Sequence, residues 1–354
     1  IVAFIVTLGG IFIISTLIGV LSSGIEGILD ELRKGKSFVI ESNHILILGW
    51  STKIFPILSE LILANENKKK TCIVILADKD KVEMEDEIRN KIDDFKNTKI
   101  ICRRGIPNDL TDLAISNPSE SKAIIVLAMD SGNSDPLVIK TILALTNSPD
   151  RRSTPYHIVA EIKDKKNLEV ARMVGKDEVE LILTDDIIGR IMVQTSRQSG
   201  LSIVLTELLD FNGDEIYFKH ENSLIGKTFG EVIFNYEDSL VIGLQYKNEQ
   251  VKINPPMDYV IQQGDQLIAI SEDDDTISTS TNPNYAINDL AIVDIPSKQI
   301  QAERILLLGW NERAAIIIQE MDHYVGPNSY MKVVSHYDYV QDTINQISVS
   351  LKNI

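Results

Sequence analysis

His44-Ile-Leu-Ile-Leu-Gly-Trp50 is the stretch from which the fold is read. A short apolar run ends in glycine, and apolar residues then recur at helical spacing from Ile54 to Ala64. Strand, glycine turn and helix open a βαβ unit. Working outward, Thr71 to Ala77 (TCIVILA) predicts a second strand that ends at Asp78. Ile100 to Cys102 predicts a third, Ala123 to Ala128 a fourth and Tyr156 to Ile162 a fifth, with helical patterns between most of them. Strands alternating with helices predict an α/β fold built on a doubly wound parallel sheet.

A dinucleotide site in such a Rossmann-like sheet needs G-x-G-x-x-G, because the second glycine admits the pyrophosphate and the third lets helix and strand pack closely. The corresponding run is Gly49, Trp50, Ser51, Thr52, Lys53, Ile54, which keeps the first glycine alone. Asp78 stands where an acid would hold a ribose, although an acid at a strand end is also an ordinary turn residue. Gly49, Ser51 and Asp78 therefore mark a degenerate nucleotide site, and the fold is expected to persist without its usual ligand.

The pattern starts again near the end of the chain. Arg304-Ile-Leu-Leu-Leu-Gly-Trp310 echoes residues 44–50, and Asn311 to Met321 reads as the following helix. The shared tryptophan favours duplication over chance. About fifty residues follow Arg304, too few for a whole unit, so an incomplete second unit is expected. Between the two starts, Asp186 to Arg197 (DIIGRIMVQTSR) reads as a helix. From Leu201 short strands are expected, with turns at Asn212-Gly213, Pro255-Pro256 and Gly264-Asp265, making a small α+β lobe.

Hydrophobicity is distributed unevenly. No charged residue occurs from Ile1 to Ile25, and the first twenty-odd residues as a helix would cover roughly 30 Å, enough to span a bilayer. A signal peptide would carry a basic segment before this run and a small-residue cleavage pattern after it. Neither is present, and the start at Ile1 predicts that the chain begins inside a longer membrane domain. Arg33, Lys34 and Lys36 follow, as on a cytoplasmic flank. Thr7, Ser15, Gly19, Ser22 and Glu26 share one face of the predicted helix. That face either lines an aqueous pore with Glu26 at its mouth, or lets a neighbouring helix approach closely.

The remainder is acidic, with a net charge of −16 for the whole chain, which disfavours nucleic acid as a partner and favours cations. Cys72 and Cys102 lie in predicted buried strands and do not suggest a disulfide framework. The five histidines are scattered and no local nucleophile motif occurs, so catalysis is not expected. A hard cation needs several converging oxygens. Asp185-Asp186, Glu272 to Asp275, and above all Asp210, Asp214 and Glu215 around Asn212-Gly213 supply candidates. Solvated surface acids are the competing reading in a chain with 51 Asp and Glu.

Several long motifs in order now carry a resemblance: HILILGWS at 44–51, ICRRGIP at 101–107, IIGRIMVQTSRQSG at 187–200, SEDDDT at 271–276 and RILLLGW at 304–310. The chain resembles the Castor/Pollux family of ion channels, known from plant nuclear envelopes and with prokaryotic relatives. The lobe from Leu224 to Ile270 also looks like the C-terminal lobe of RCK domains. The resemblance implies a pore-lining helix over 1–25, a linker over 26–43, a first RCK Rossmann-like lobe over 44–165 and crossover or hinge helices over 166–200. A C-terminal lobe over 201–275, a linker over 276–303 and an incomplete second lobe over 304–354 follow. It further implies a homotetramer with eight RCK domains in a cytoplasmic ring, permeant cations, surrounding membrane lipid, and calcium as the divalent ligand of the ring. Calcium-gated RCK channels place an acid shortly after the hinge-helix motif, where this chain has Arg197. The alternatives are a membrane-tethered regulatory subunit of a potassium transporter and a nucleotide-binding oxidoreductase. The first would lack a spanning helix joined to the Rossmann-like unit, and the second would need a complete phosphate loop.

Overall fold

A computed structural model describes residues 9–22, 25, 34–130, 132–211, 213–280, 288–291, 293 and 301–354. Residues 9–22 form a helix, α1, whose apolar side chains, such as Phe12 and Leu17, are exposed. Among the described residues, no helix is long and apolar enough to cross a membrane. Ser15, Gly19 and Ser22 fall within α1, whereas Thr7, Glu26 and the rest of the span expected over Ile1–Ile25, apart from Ile25 itself, lie outside the described residues.

Two compact units divide the chain, residues 1–187 and 188–354. In the first, β1 (His44–Leu48), β2 (Thr71–Ala77), β3 (Thr98–Arg104), β4 (Ser121–Val126), β5 (Ile158–Ile162) and β6 (Val179–Leu183) form one sheet of order β3-β2-β1-β4-β5-β6. Every neighbouring pair in it is parallel. The apolar runs of β1 and β2 are nearly unbroken because both faces of the sheet are covered. One face carries Leu46, Leu48, Val74 and Val126 against α4 (Leu110–Ile115), α5 (Asp135–Thr146) and α6 (Leu168–Gly175). The other carries Ile47, Ile73, Ile75 and Cys102 against α2 (Ile54–Leu63) and α3 (Lys81–Lys91). Burial pushes the thiols of Cys72 and Cys102 up to about 11 and about 12, and both are free.

The order reverses between β1 and β4, so the loops after these strands diverge and leave a crevice at the carboxyl edge of the sheet. Two elements differ from the sequence reading. Val179–Leu183 joins the sheet as a sixth strand; its charged residue Glu180 and half-exposed pattern hid it from a search for apolar runs. Leu201–Glu207, expected as strand, is a helix, α8. Gly200, at φ +88°, ends the preceding α7 (Thr184–Arg197), and Leu201, Val204 and Leu208 then recur at helical spacing.

In the second unit an antiparallel sheet of order β7-β10-β8-β9 joins β7 (Glu215–Lys219), β8 (Leu240–Gln245), β9 (Val251–Ile253) and β10 (Gln266–Ser271). Its core gathers Phe229 and Val232 of α9 (Phe229–Val232) with Leu244, Leu267 and Ala269. Thr228 and Glu231 close a reciprocal capping box at the start of α9. Farther on, β11 (Arg304–Leu308) pairs in parallel with β12 (Tyr330–Val334), flanked by α10 (Ala314–Asp322) and α11 (Val340–Ser348). The duplicated motif is duplicated in geometry. Gly49 at φ +101° donates its amide to Leu76 O at 2.9 Å, and Gly309 at φ +88° donates to Val334 O at 2.8 Å.

Leu46 is fully buried in the middle of the parallel sheet. Leu46→Ala is expected to destabilise the first unit by about 3 kcal/mol, read as a lower urea midpoint at unchanged slope.

Candidate functional site

The turn after β1 shapes the crevice. A Cβ added to Gly49 would lie 3.0 Å from the carbonyl oxygen of Leu127, on top of a positive φ, so only glycine fits there. Trp50 follows, its indole edge-on to Phe55 with centroids 5.9 Å apart, and Lys79 Nζ lies 4.7 Å from the indole centroid. Ser51 is buried, with its hydroxyl lacking a partner among the described residues.

The start of α2 is where a pyrophosphate would sit, drawn by free amides and the positive end of the helix. Here the chain supplies its own anions. Thr52 donates its amide to Asp130 Oδ2 at 2.8 Å and its hydroxyl to Asp130 Oδ1 at 3.2 Å. Lys53 pairs with Glu161, whose other oxygen accepts from Ala128 N at 3.2 Å while Thr184 Oγ1 donates to the first at 3.0 Å. Lys79, beside the crevice, pairs with Glu87 at 2.6 Å. The loop carrying Asp130 is held in turn by Lys163, which donates to Met129 O at 2.6 Å.

Gly49 and Asp78 both line a cleft of about 470 Å³, whereas Ser51 does not reach its lining. Asp78 is exposed at the end of β2. The residues present do not suit a pyrophosphate. The Thr52 amide is taken, Lys53 and Lys79 are paired with carboxylates, and Asp130 and Glu161 add like charge. Asp130, Glu161 and Lys53 were not singled out from sequence. An acid inside the apolar strand IVAEI was the one available sign that a buried carboxylate had a specific task.

The acids separate by position. Asp185 and Asp186 open the first turn of α7, where negative charge suits the helix dipole. Asp210 lies in the turn after α8, its amide donating to Glu207 O at 3.2 Å and its carbonyl accepting from Gly213 N at 3.1 Å. Among the described residues, the carboxylates that converge within 4.8 Å are those of Asp273, Asp274 and Asp275, all exposed; Asp210, Asp214 and Glu215 form no such group. Glu215 does come close to the end of β10, since it pairs with Ser271 across the sheet. Burial, a hydrogen bond to Glu215 and the charges of Asp273 and Asp274 push the Tyr217 phenol well above its usual range.

Within the second unit, α7 packs through one face. A Cβ on Gly189 would lie 2.8 Å from Ile316, and Val193 is buried with Ile317, Met321 and Val325. Arg190 pairs with Glu320 at 3.1 Å. Arg197 clasps Glu303 with both terminal nitrogens, at 3.0 and 2.8 Å, and lies 6.0 Å from the Tyr324 ring centroid. Spacing of three and four residues puts these side chains on the same stripe.

A parallel sheet of order 3-2-1-4-5-6, the helix α7 and an antiparallel lobe, followed by a further strand–helix–strand–helix segment, make an RCK-like α/β fold. Fold comparison agrees: the human SLO3 gating ring superposes with a TM-score of 0.53 at 13% identity, covering 85% of this chain and 65% of that one. Residues 185–287 match the sequence family described as Castor and Pollux, part of voltage-gated ion channel. The rice protein described as probable ion channel POLLUX is 36% identical over 333 residues, 93% of this chain and 34% of its own length. Ion channel CASTOR of Lotus japonicus is 37% identical over 332 residues, 93% of this chain and 38% of its own. The chain belongs to the Castor/Pollux family, whose matched members are ion channels rather than enzymes, and it spans about a third of the length of those curated relatives.

The hydrogen bond from Arg197, ahead of the opposing effect of burial, lowers the Glu303 carboxyl below its ordinary range. A depressed folded-state pKa gives stability that is present above the unfolded-state value and lost as pH falls through the folded one. Both side chains are partly exposed, so Arg197→Ala is expected to cost the second unit no more than about 1 kcal/mol at neutral pH. Denaturant titrations of wild type and variant are expected to converge once pH drops below the glutamate range.

Proposed function

We propose that this chain is the inner-helix and gating-ring part of a subunit of a tetrameric cation channel. Similarity to Castor/Pollux channels over 93% of the chain, at 36% identity, is the observation that carries the reading. In it, residues 1–25 belong to a pore-lining helix, with Ser15, Gly19 and Ser22 of α1 on the pore face together with Thr7 and Glu26. The acidic remainder stands on the cytoplasmic side, where four copies contribute eight RCK domains to one ring. A ligand that prefers one ring conformation shifts the pore equilibrium by its differential affinity and no further.

Calcium is the effector to test first. Hard divalent cations take carboxylate oxygens, and the acids following β10 lie beside Glu215 through strand pairing. Asp210 and Asp214 remain the alternative set. The nucleotide-enzyme alternative is disfavoured by the carboxylates lodged at the phosphate loop.

Planar-bilayer recording of the full-length protein, with cytoplasmic calcium varied, tests this directly. Calcium-dependent cation current is expected, with the half-activating concentration raised at least tenfold by Asp273→Ala combined with Asp274→Ala. Absence of current under every ionic condition would overturn the channel reading. A response left intact by that pair but lost in Asp210→Ala with Asp214→Ala would move the cation site to the turn after α8.

A further inference from the structure

We infer that Asp112 is a positioning residue that ties the linker, where it enters the first unit, to the wall of the cleft, so that the two move as one piece. The linker expected over 26–43 is described from residue 34 onward. It meets the carboxyl end of β3 first. Gly35, at φ +70°, accepts from the Arg104 amide at 3.1 Å, and a Cβ there would lie 3.0 Å from Lys81 Cβ and 3.1 Å from Arg104 N. A side chain at 35 would lift the linker from this seat. Beyond it, Ser37 O accepts from Arg103 Nε at 2.6 Å, and Val39 is fully buried with its amide donating to Ile115 O at 2.8 Å.

Asp112, in the first turn of α4, reaches both sides. Its Oδ1 accepts from Lys36 Nζ of the linker at 2.6 Å, and its Oδ2 accepts from the Ile106 amide at 2.9 Å. Ile106 belongs to the turn after β3 and lines the cleft together with Pro107 and Asn108. The carboxylate has little room to shift, since a Cβ on Gly105 would lie 2.9 Å from both Asp112 Cβ and Leu76 Cδ1. An acid in a first helical turn is ordinarily explained by the helix dipole. The dipole requires neither a lysine from the linker nor the amide of a cleft residue, and Asp112 engages both. One oxygen for each partner holds the two at a fixed separation. Displacement of the turn is therefore passed to the linker through one side chain, and the reverse holds equally. Its bearing on gating rests on the channel reading, in which this linker leads from the pore-lining helix.

Residue-resolved amide exchange on the full-length protein tests this without requiring channel current, so its outcome is separate from that of the channel reading. The Arg104 amide reports the linker seat, the Ile106 amide the cleft wall, and the Leu127 amide, bonded to Leu48 O at 2.9 Å, the intact sheet. Gly35→Ala is expected to speed exchange at Arg104 and, although the bond to Ile106 comes from Asp112, at Ile106 as well, each about threefold or more, with Leu127 unchanged. In the Asp112→Asn background a neutral oxygen still accepts from Ile106 without holding Lys36 by charge, and there Gly35→Ala is expected to speed Arg104 alone. A general loosening would speed Ile106 in both backgrounds; that result, or an Ile106 amide untouched by Gly35→Ala, would overturn the inference. Asp112→Asn by itself is expected to speed Arg104 about threefold or more while sparing Ile106. An unchanged Arg104 amide in that variant would overturn the inference even if Gly35→Ala fails to fold.

Discussion

The buried carboxylate of Glu161 ties together the carboxyl edge of the parallel sheet. From the end of β5 it meets Lys53 at the start of α2, the Ala128 amide after β4 and the Thr184 hydroxyl at the start of α7. Three chain segments thereby converge on one charge in a site shielded from water. Burying a carboxylate is costly unless its hydrogen-bonding capacity is filled, and here a cation, an amide and a hydroxyl fill it. Glu161 thereby joins the turn after β1 to the start of α7.

This arrangement gives a physical reason for the eroded glycine fingerprint. Once Asp130 and Glu161 take the donors of the loop, no pyrophosphate has to approach the backbone and the need for the second glycine disappears, while the third position, a packing one, is filled by the buried side chain of Ile54. Ser51 and Ile54 then stand where those glycines would be. The first glycine remains because its role is internal: positive φ, an amide hydrogen bond to β2 and a close approach to Leu127. Gly309 repeats the positive φ and the strand hydrogen bond in the second unit, which is how HILILGW and RILLLGW came to look alike in sequence.

Periodic features were legible in the sequence. The apolar runs of β1, β2 and β4, the glycine turns and the hinge helix each leave a local pattern that burial on two faces or one stripe imposes. Strand β6 and helix α8 left weaker ones, because a half-exposed edge strand resembles a loop and a seven-residue helix after glycine resembles a turn. Interactions across long sequence distance were not legible. Asp130 lies far from Thr52 along the chain, Glu161 far from Lys53 and Glu303 far from Arg197. Arg197 stands out in sequence because calcium-gated RCK channels place an acid shortly after the same motif; in the fold it pairs with Glu303 within the second unit. Turn spacing favours Asp210, Asp214 and Glu215 as a cation set, and strand pairing sets Glu215 opposite Ser271, next to the acids that follow β10.

Asp130 and Glu161, carboxylates of the chain itself, take up the Thr52 amide and the Lys53 ammonium at the turn after β1. Residue-resolved amide hydrogen exchange at Thr52 tests it most directly. The account predicts a protected Thr52 amide in the ligand-free protein, with protection lost in Asp130→Ala and unchanged in the unmutated protein on adding NAD. A Thr52 amide that exchanges freely until NAD is added, and is protected only then, would contradict it.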